Sequence, residues 1–335
     1  MISGVGRASA RQQRRAKARP TTIAATLLLS GGAAAQPFPT RDLNPLLAGY
    51  GLPSALPTRL TNESWSFATD LNWASSSLIQ GTDGEQLLVD AETREARVTI
   101  GRSWAGGFAM QLELPYRYTG GGVLDDAIDS WHDLLGLPQG ARAVMPTDRM
   151  RIVYQRAGAT LIDMDSSVSG LADISLDFGY SLHSTAATAM AAWLSVKLPT
   201  GAADRLTGSG AADVALTIAG EHRLGDDWSM FGQASVAWLG DGDRLPQQQR
   251  DSVWSGLAGI GWHAWRGLHL KAQLDAHSAL FDDVDLDFLG EVVVLTVGGD
   301  YRFESGWRLD VAVSEDIAVE SASDVVFLFG LRRNW

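Results

Sequence analysis

From Trp65 onward the chain alternates apolar and polar residues over long stretches, the two-residue period of a strand with one apolar face. Trp65, Phe67, Leu71 and Trp73 alternate with Ser64, Ser66, Asp70 and Asn72, and Phe108, Met110, Leu112, Leu114 and Tyr116 alternate with Ala109, Gln111, Glu113 and Arg117. The same rhythm runs through Ile174–Leu182, Leu268–His277 and Trp307–Ser314, and less regularly near 93–102, 187–198, 212–224, 228–239, 252–264 and 291–304. Strands of soluble sheets run about five or six residues. These run about ten to thirteen, the length that crosses a bilayer at a barrel tilt.

Connection lengths alternate as well. The turns near 103–106, 183–186, 225–227, 265–267 and 304–306 are short, and the connections near 199–211, 240–251, 281–290 and 315–323 are long. Short inner turns and long outer loops give that pattern in a membrane barrel. Trp104, Tyr180, Trp228, Trp262, Trp265, Phe303 and Trp307 fall near the short turns, and Trp73, Tyr116, Tyr118, Trp238 and Trp254 near the long loops. Two aromatic girdles at lipid headgroup depth are expected from that placement. The last run, Val325, Phe327, Phe329 and Leu331 alternating to Trp335, has the form of a barrel assembly signal.

Counting turns and loops backward from Trp335 makes residues 119–169 one outer excursion. The fold class predicted is all-β, a transmembrane up-and-down antiparallel β-barrel of about twelve strands, even-numbered as single-chain bacterial barrels are. A strand-like run at 149–156 would make thirteen, so it is expected outside the membrane or folded against the wall. Within the excursion Leu124, Ile128, Trp131 and Leu135 recur at helical spacing, with Asp125, Asp126, Asp129 and Asp133 off that face. A short amphipathic helix is predicted there, its apolar stripe buried in the barrel mouth or lumen as a loop plug.

The ends of the chain add an address. Arg7, Arg11, Arg14, Arg15, Lys17 and Arg19 precede a short apolar run, Ile23–Leu29, which ends in Ala33-Ala34-Ala35 before Gln36. That is a secretory signal over residues 1–35, removed on export. The organisation expected is then a periplasmic segment over 36–62 and an outer-membrane barrel over 63–335, in a Gram-negative bacterium. The chain holds 27 basic and 39 acidic residues, and losing six basic residues and no acidic one moves its net charge from −12 to −18. An acidic export product is a poor ligand for nucleic acid, whose affinity rests on clustered Lys and Arg. With no Cys there is no disulfide framework and no thiolate metal site.

If the apolar face of each strand meets lipid, the other face lines the lumen. It carries Glu113, Arg117, Asp173, Asp177, Lys197, Asp213, His269, Lys271, Asp275, Asp300, Arg302, Arg308 and Asp310. One reading is an interior network of paired charges, because an isolated ion there would carry a large desolvation cost. The other is a polar, cation-attracting pathway. An esterase needs His beside Ser in space, but His183-Ser184 and His277-Ser278 are neighbours on strands and face opposite sides, so no enzyme is expected. Acidic outer loops at Asp241, Asp243, Asp282, Asp283, Asp285 and Asp287 and at Glu315, Asp316, Glu320 and Asp324 read as solvated surface, and no metal or cofactor site is expected. The partners expected are outer-membrane lipid, lipopolysaccharide and the barrel-assembly machinery. The function expected is a passive channel or small-solute uptake barrel, with a sealed structural or envelope-biogenesis barrel as the alternative and a membrane-embedded hydrolase behind both.

The segment Asp90-Ala91-Glu92-Thr93, then Leu114-Pro115-Tyr116, Gly120-Gly121-Gly122-Val123-Leu124-Asp125, Ile128, Trp131-His132-Asp133 and Gly136-Leu137-Pro138-Gln139-Gly140-Ala141-Arg142 resembles the bacterial domain-of-unknown-function family 3187. The resemblance runs from about Asn44 to Trp335 and implies an outer-membrane barrel, with no mechanism attached. Gly170-Leu171-Ala172-Asp173 and Lys197-Leu198-Pro199-Thr200-Gly201 are similar to strings in barrels of aromatic-degradation operons, with Ala172 where those carry Gly.

Overall fold

A computed structural model describes residues 34–335 apart from 61–62, 127, 129, 131–132, 134–144 and 318–320; the signal expected over residues 1–35 falls almost entirely outside the described residues. The strands are β1 Ser64–Gly81, β2 Glu85–Ser103, β3 Phe108–Gly120, β4 Arg151–Arg156, β5 Ala159–Met164, β6 Val168–Leu171, β7 Ile174–Ser184, β8 Thr188–Leu198, β9 Asp213–Arg223, β10 Trp228–Trp238, β11 Ser252–Trp265, β12 Leu268–His277, β13 Val292–Arg302, β14 Trp307–Asp316 and β15 Val325–Asn334. All pair antiparallel, and β1 meets β15 from Ser66↔Asn334 to Ser75↔Val325, which closes the ring and leaves no free edge in the wall.

The wall has twelve strand positions. Both β6 and β7 pair with β3 and share one position, and β4 and β5 lie outside the ring. The break between β6 and β7 faces Pro115, which has no N–H to give; there the Ala172 amide donates to the Pro115 carbonyl at 2.8 Å. The run at 149–156, expected to avoid spanning, forms β4 and pairs with Glu85–Asp90 of β2, beyond the part of β2 that pairs with β3.

One end of the barrel carries the short turns. Gly106, Gly225, Gly267 and Gly306 have positive φ there, a conformation that a Cβ would strain. The other end carries the long loops and a core of its own. Leu78, Leu87, Val89, Ile152 and Tyr154 pack with Leu239, Leu245, Leu280, Phe281, Phe288 and Leu289. Each such side chain contributes about 1.5–3 kcal/mol by leaving water, so the β1–β2 hairpin, β4 and the loops between β10 and β13 form a stable cap. Tyr154 donates to Glu85 within it, and burial pushes its phenol up to about 12.

The outer face is apolar and exposed. Leu216 is 51% exposed and its neighbour Thr217 2%, and Trp65, Phe178 and Leu270 all face outward. A belt of this kind matches hydrocarbon. The girdle residues behave accordingly: Trp104, Tyr180, Trp228, Trp262 and Trp265 are exposed at the turn end, and Tyr116, Trp238 and Trp254 at the loop end. Among the described residues no helix is long and apolar enough to cross a membrane; the crossings are made by strands. In the last strand Phe329 faces outward, and Trp335 exchanges backbone hydrogen bonds with Trp65 at 2.8 and 3.0 Å, which seals the seam.

Candidate functional site in the barrel lumen

The lumen is where the two-residue period delivers the polar half of each strand. Glu113, Arg117, Asp177, Lys197, Asp213, His269, Lys271, Asp300, Arg308 and Asp310 are buried there, with Asp173 at the β6–β7 break and with Asp275 and Arg302 half-buried. All the predicted lumen residues face the interior, but they do not line an open pathway.

What fills the space is the segment expected in the periplasm. Residues 34–60 enter from the turn end, climb to the loop end and return. Ala34 and Gln36 lie beside Arg302 and Arg308, and the Ala35 amide donates to Ser229 at 3.0 Å. Higher up, Phe38 and Thr40 bond to Gln273 and Asp275. The apex is a turn in which Asn44 accepts the Leu46 amide and donates to the Phe288 carbonyl. On the way down Leu56 donates to Gln233, and Thr58 and Arg59 donate to Glu221 at the turn end. The expectation of a periplasmic segment is therefore corrected. Residues 34–60 carry buried Phe38, Leu43, Leu46, Leu47, Tyr50, Leu56 and Leu60, which would be exposed outside the barrel.

Cations hold the segment by its backbone. The two lysines after residue 17 have parallel roles. Lys197 sits between Asp173 at 2.8 Å and Asp213 at 2.9 Å and donates to the Gly49 carbonyl at 3.0 Å. Lys271 sits between Asp310 at 2.8 Å and Asp300 at 3.7 Å and donates to the Gln36 carbonyl at 3.0 Å. One clamp is at the apex and the other at the turn end. Arg117, paired with Glu95 at 2.6 Å, donates to the Ala48 carbonyl, and Arg97, within 3.5 Å of Glu113, donates to the Pro39 carbonyl. From the loop above, Arg244 donates to the carbonyls of Pro45, Leu46, Ala203 and Gly208. Burial pushes its guanidinium down to about 10, which leaves it charged at neutral pH. Of the two sequence readings of the lumen, the paired network is present, and it includes a third participant, the backbone of residues 34–60.

Two inward aromatics complete the seat. Trp193 donates its indole N–H to the Pro57 carbonyl at 2.9 Å and packs with Leu56 and Leu60. Phe231 packs with Ala35 and Leu257. Each lies across from a glycine, Gly179 and Gly259, where a Cβ would fall 2.8 and 2.4 Å from the ring. Sequence reasoning passed over both, and over Glu95, Arg97 and Glu221. The available signal was an aromatic on the polar parity of its strand with glycine opposite.

The loop helix does not fill the lumen in its described part. The amides of Val123 and Leu124 donate to Glu92, which shares the outward parity of β2 with Arg94, itself stacked on Trp73. Ile128 is buried, and its amide donates to the Leu124 carbonyl. Trp131 and Leu135 fall outside the described residues. The occupant expected from the excursion is supplied by the N-terminal segment instead. Both ring nitrogens of His277 are engaged, by Asp42 and by the Ser278 carbonyl, so no nucleophile is activated there. No group of three metal-ligating side chains occurs among the described residues. In the acidic loops Asp282 pairs with Arg250, and Asp316 accepts the amides of Ser321 and Ala322.

A twelve-stranded closed barrel with an apolar belt, short turns at one end and a lumen filled by its own N-terminal segment has the fold of an outer-membrane β-barrel. The comparisons agree in fold and supply the family. The chain matches the family described as protein of unknown function (DUF3187) over residues 20–335, and it belongs to that family. No curated protein matches it in sequence. Among solved structures it is similar to the COG4313 outer membrane channel from Pseudomonas putida F1, with a TM-score of 0.57 at 15% identity over 84% of this chain and 97% of that one. The toluene transporter TbuX of Ralstonia pickettii aligns with a TM-score of 0.44 at 11% identity, over 82% of this chain and 90% of that one. At these identities the likeness is one of fold.

Proposed function

We propose that the chain is a passive channel or small-solute uptake barrel of the Gram-negative outer membrane, kept shut by its own residues 34–60. In this reading the leader is removed on export, and the assembly machinery takes the barrel by its Phe327–Trp335 end. The turn end faces the periplasm, and lipid and lipopolysaccharide surround the apolar belt. The acidic loops face outward as solvated surface.

One observation carries the reading: the way the segment is attached. Among the described residues no backbone-to-backbone hydrogen bond joins residues 34–60 to the wall; the bonds join two side chains, or a side chain and a backbone group acting as donor or acceptor. Each is worth about 0.5–1.5 kcal/mol net, or about 1.5–3 with a charged donor, and water replaces it when the lumen fills. The hydrogen bonds of the segment are thus replaceable, while the strands around it are locked into their ladders; its apex is held in addition by Leu46, Leu47 and Tyr50, which pack into the apolar cap. A barrel of this size has more interior than side chains alone fill. The structurally similar COG4313 protein is an outer membrane channel, which is in keeping with this use of the fold.

The apolar cap at the loop end favours a second reading, a permanently sealed structural barrel. Planar-bilayer recording separates the two. Under the channel reading, deleting residues 38–58 turns brief, rare openings of the full barrel into stable unitary steps. A deleted barrel that is well folded by circular dichroism and heat-modifiability, yet silent, would establish the sealed reading.

A further inference from the structure

Beside the N-terminal segment, on the β11–β15 side of the lumen, lies a cavity of about 90 Å³. Its lining is largely apolar, with Leu43 and Leu47 from the segment and Leu257, Val292, Val294 and Val326 from the wall. These wall residues stand on the inward parity, where several of the other strands present charges. Asn72 of β1 also lines the cavity. It is 1% exposed, and neither its amide nitrogen nor its carbonyl oxygen has a hydrogen-bond partner among the described residues. Other polar groups of the lining are engaged elsewhere, Asp42 on His277, Asp275 on Thr40 and Gln273, and Ser314 on Thr296, while the Arg41 guanidinium is held by Glu113 and Glu95. Leaving a buried donor and acceptor unfilled costs about 1–3 kcal/mol, and an orphaned pair of this kind calls for a reason. An apolar pocket with a single unsatisfied amide is the arrangement that binds a small organic molecule and orients it by one polar group.

We propose that this cavity is a binding site for a small uncharged amphiphile, a molecule with a short apolar body and one hydroxyl or carbonyl group that pairs with the Asn72 amide. The volume limits the body. A cavity of about 150 Å³ takes benzene, so the occupant here is a short-chain alcohol or ketone, or a single ring only with some yielding of residues 40–55. A charged solute finds no free counter-ion in the lining, since Arg41 is paired with Glu113, Asp42 with His277, and Asp275 is held by Thr40 and Gln273, so its desolvation goes unrepaid. The site stands whether or not the barrel conducts.

The chain contains four asparagines, at 44, 62, 72 and 334. Selective ¹⁵N labelling of asparagine in the full barrel, in lipid nanodiscs, therefore gives four side-chain amide signals, and loss of one in Asn72→Leu assigns the site. Titrating 1-butanol should shift the Asn72 signal saturably and leave Asn334 unmoved. n-Pentane, which lacks the polar group, should need a concentration higher by roughly tenfold. Leu257→Trp, which fills the cavity and keeps Asn72, should abolish the saturable shift. Three results would overturn the proposal: a shift linear in butanol, equal potency of pentane, or Asn72 amide protons that show cross-relaxation to water alone and do not respond to butanol. If Asn72→Leu does not fold, the wild-type titration against both probes still decides. A silent barrel that binds butanol saturably would refute the channel reading and leave this one intact; a conducting barrel that does not would do the reverse.

Discussion

The two faces of the barrel wall are made from the same strands and obey opposite rules. The outer face needs only to be apolar: Leu216, Phe178 and Leu270 meet a fluid solvent that accepts any greasy shape. The inner face needs particular partners. Lys197 must find Asp173, Asp213 and a backbone carbonyl of one segment, and Arg117 must find Glu95 and another. An error outside is a matter of hydrophobicity, and an error inside is a matter of stranded charge.

That contrast can be broken most severely at the apex clamp. Lys197→Met leaves Asp173 and Asp213 buried side by side without their cation, and a buried pair that loses one partner costs about 3–5 kcal/mol. Urea unfolding in lipid vesicles should show that loss. The double change Lys197→Met with Asp213→Asn should recover part of it, because one carboxylate is then neutral. No recovery would mean that the clamp is packing rather than charge.

The outer face breaks less severely but more generally. Leu216→Arg should cost about 2–4 kcal/mol near the midplane. Thr217→Arg, one residue along, projects into the lumen opposite Trp193 and beside Ser235, where the returning arm of the segment is seated. In the full barrel it should loosen the segment, read as faster proteolysis at residues 52–58, while in a barrel lacking residues 38–58 it should cost much less than Leu216→Arg. Equal costs at both positions in the shortened barrel would overturn the assignment of the two faces.

The gentlest test is the loop latch. Arg244→Ala removes the donor to four carbonyls and should cost about 1.5–3 kcal/mol at the apex. Bilayer recording should show longer openings with no change in unitary conductance. The latch should be insensitive to pH from 6 to 9, since its guanidinium, lowered by burial to about 10, keeps its proton throughout that range. Only above about pH 10 should the folded form shed that proton before the unfolded chain does, and because this relieves the buried charge the latch should gain rather than lose stability there.

The faces also differ in how far a reader of the sequence could go. The apolar period is local, so Trp65–Trp73 or Leu268–Leu274 announces a strand without knowledge of its neighbours, and the alternation of short and long connections then gives twelve positions. The lumen residues were legible as lumen residues by the same parity. What they bind was not. Residues 34–60 have no period of their own, and their partners lie far off: Gln36 with Arg308, Phe38 with Gln273, Leu56 with Gln233. The loop helix, by contrast, showed a clear stripe at Leu124, Ile128, Trp131 and Leu135, the last two outside the described residues, and drew attention away from the segment that is packed inside. Trp193 and Phe231, standing on the polar parity opposite glycines, were the local sign that something other than water is packed inside.

The path of residues 34–60 has a topological consequence. Both arms pass through the same opening, beside Arg302 on the way in and beside Glu221 on the way out, and the bend lies at the far end. A finger folded this way is not threaded through the ring. It can slide in after the β1–β15 seam has zipped, and it can slide out with every rung of the wall unbroken, so neither assembly nor opening requires a knot to be tied or undone.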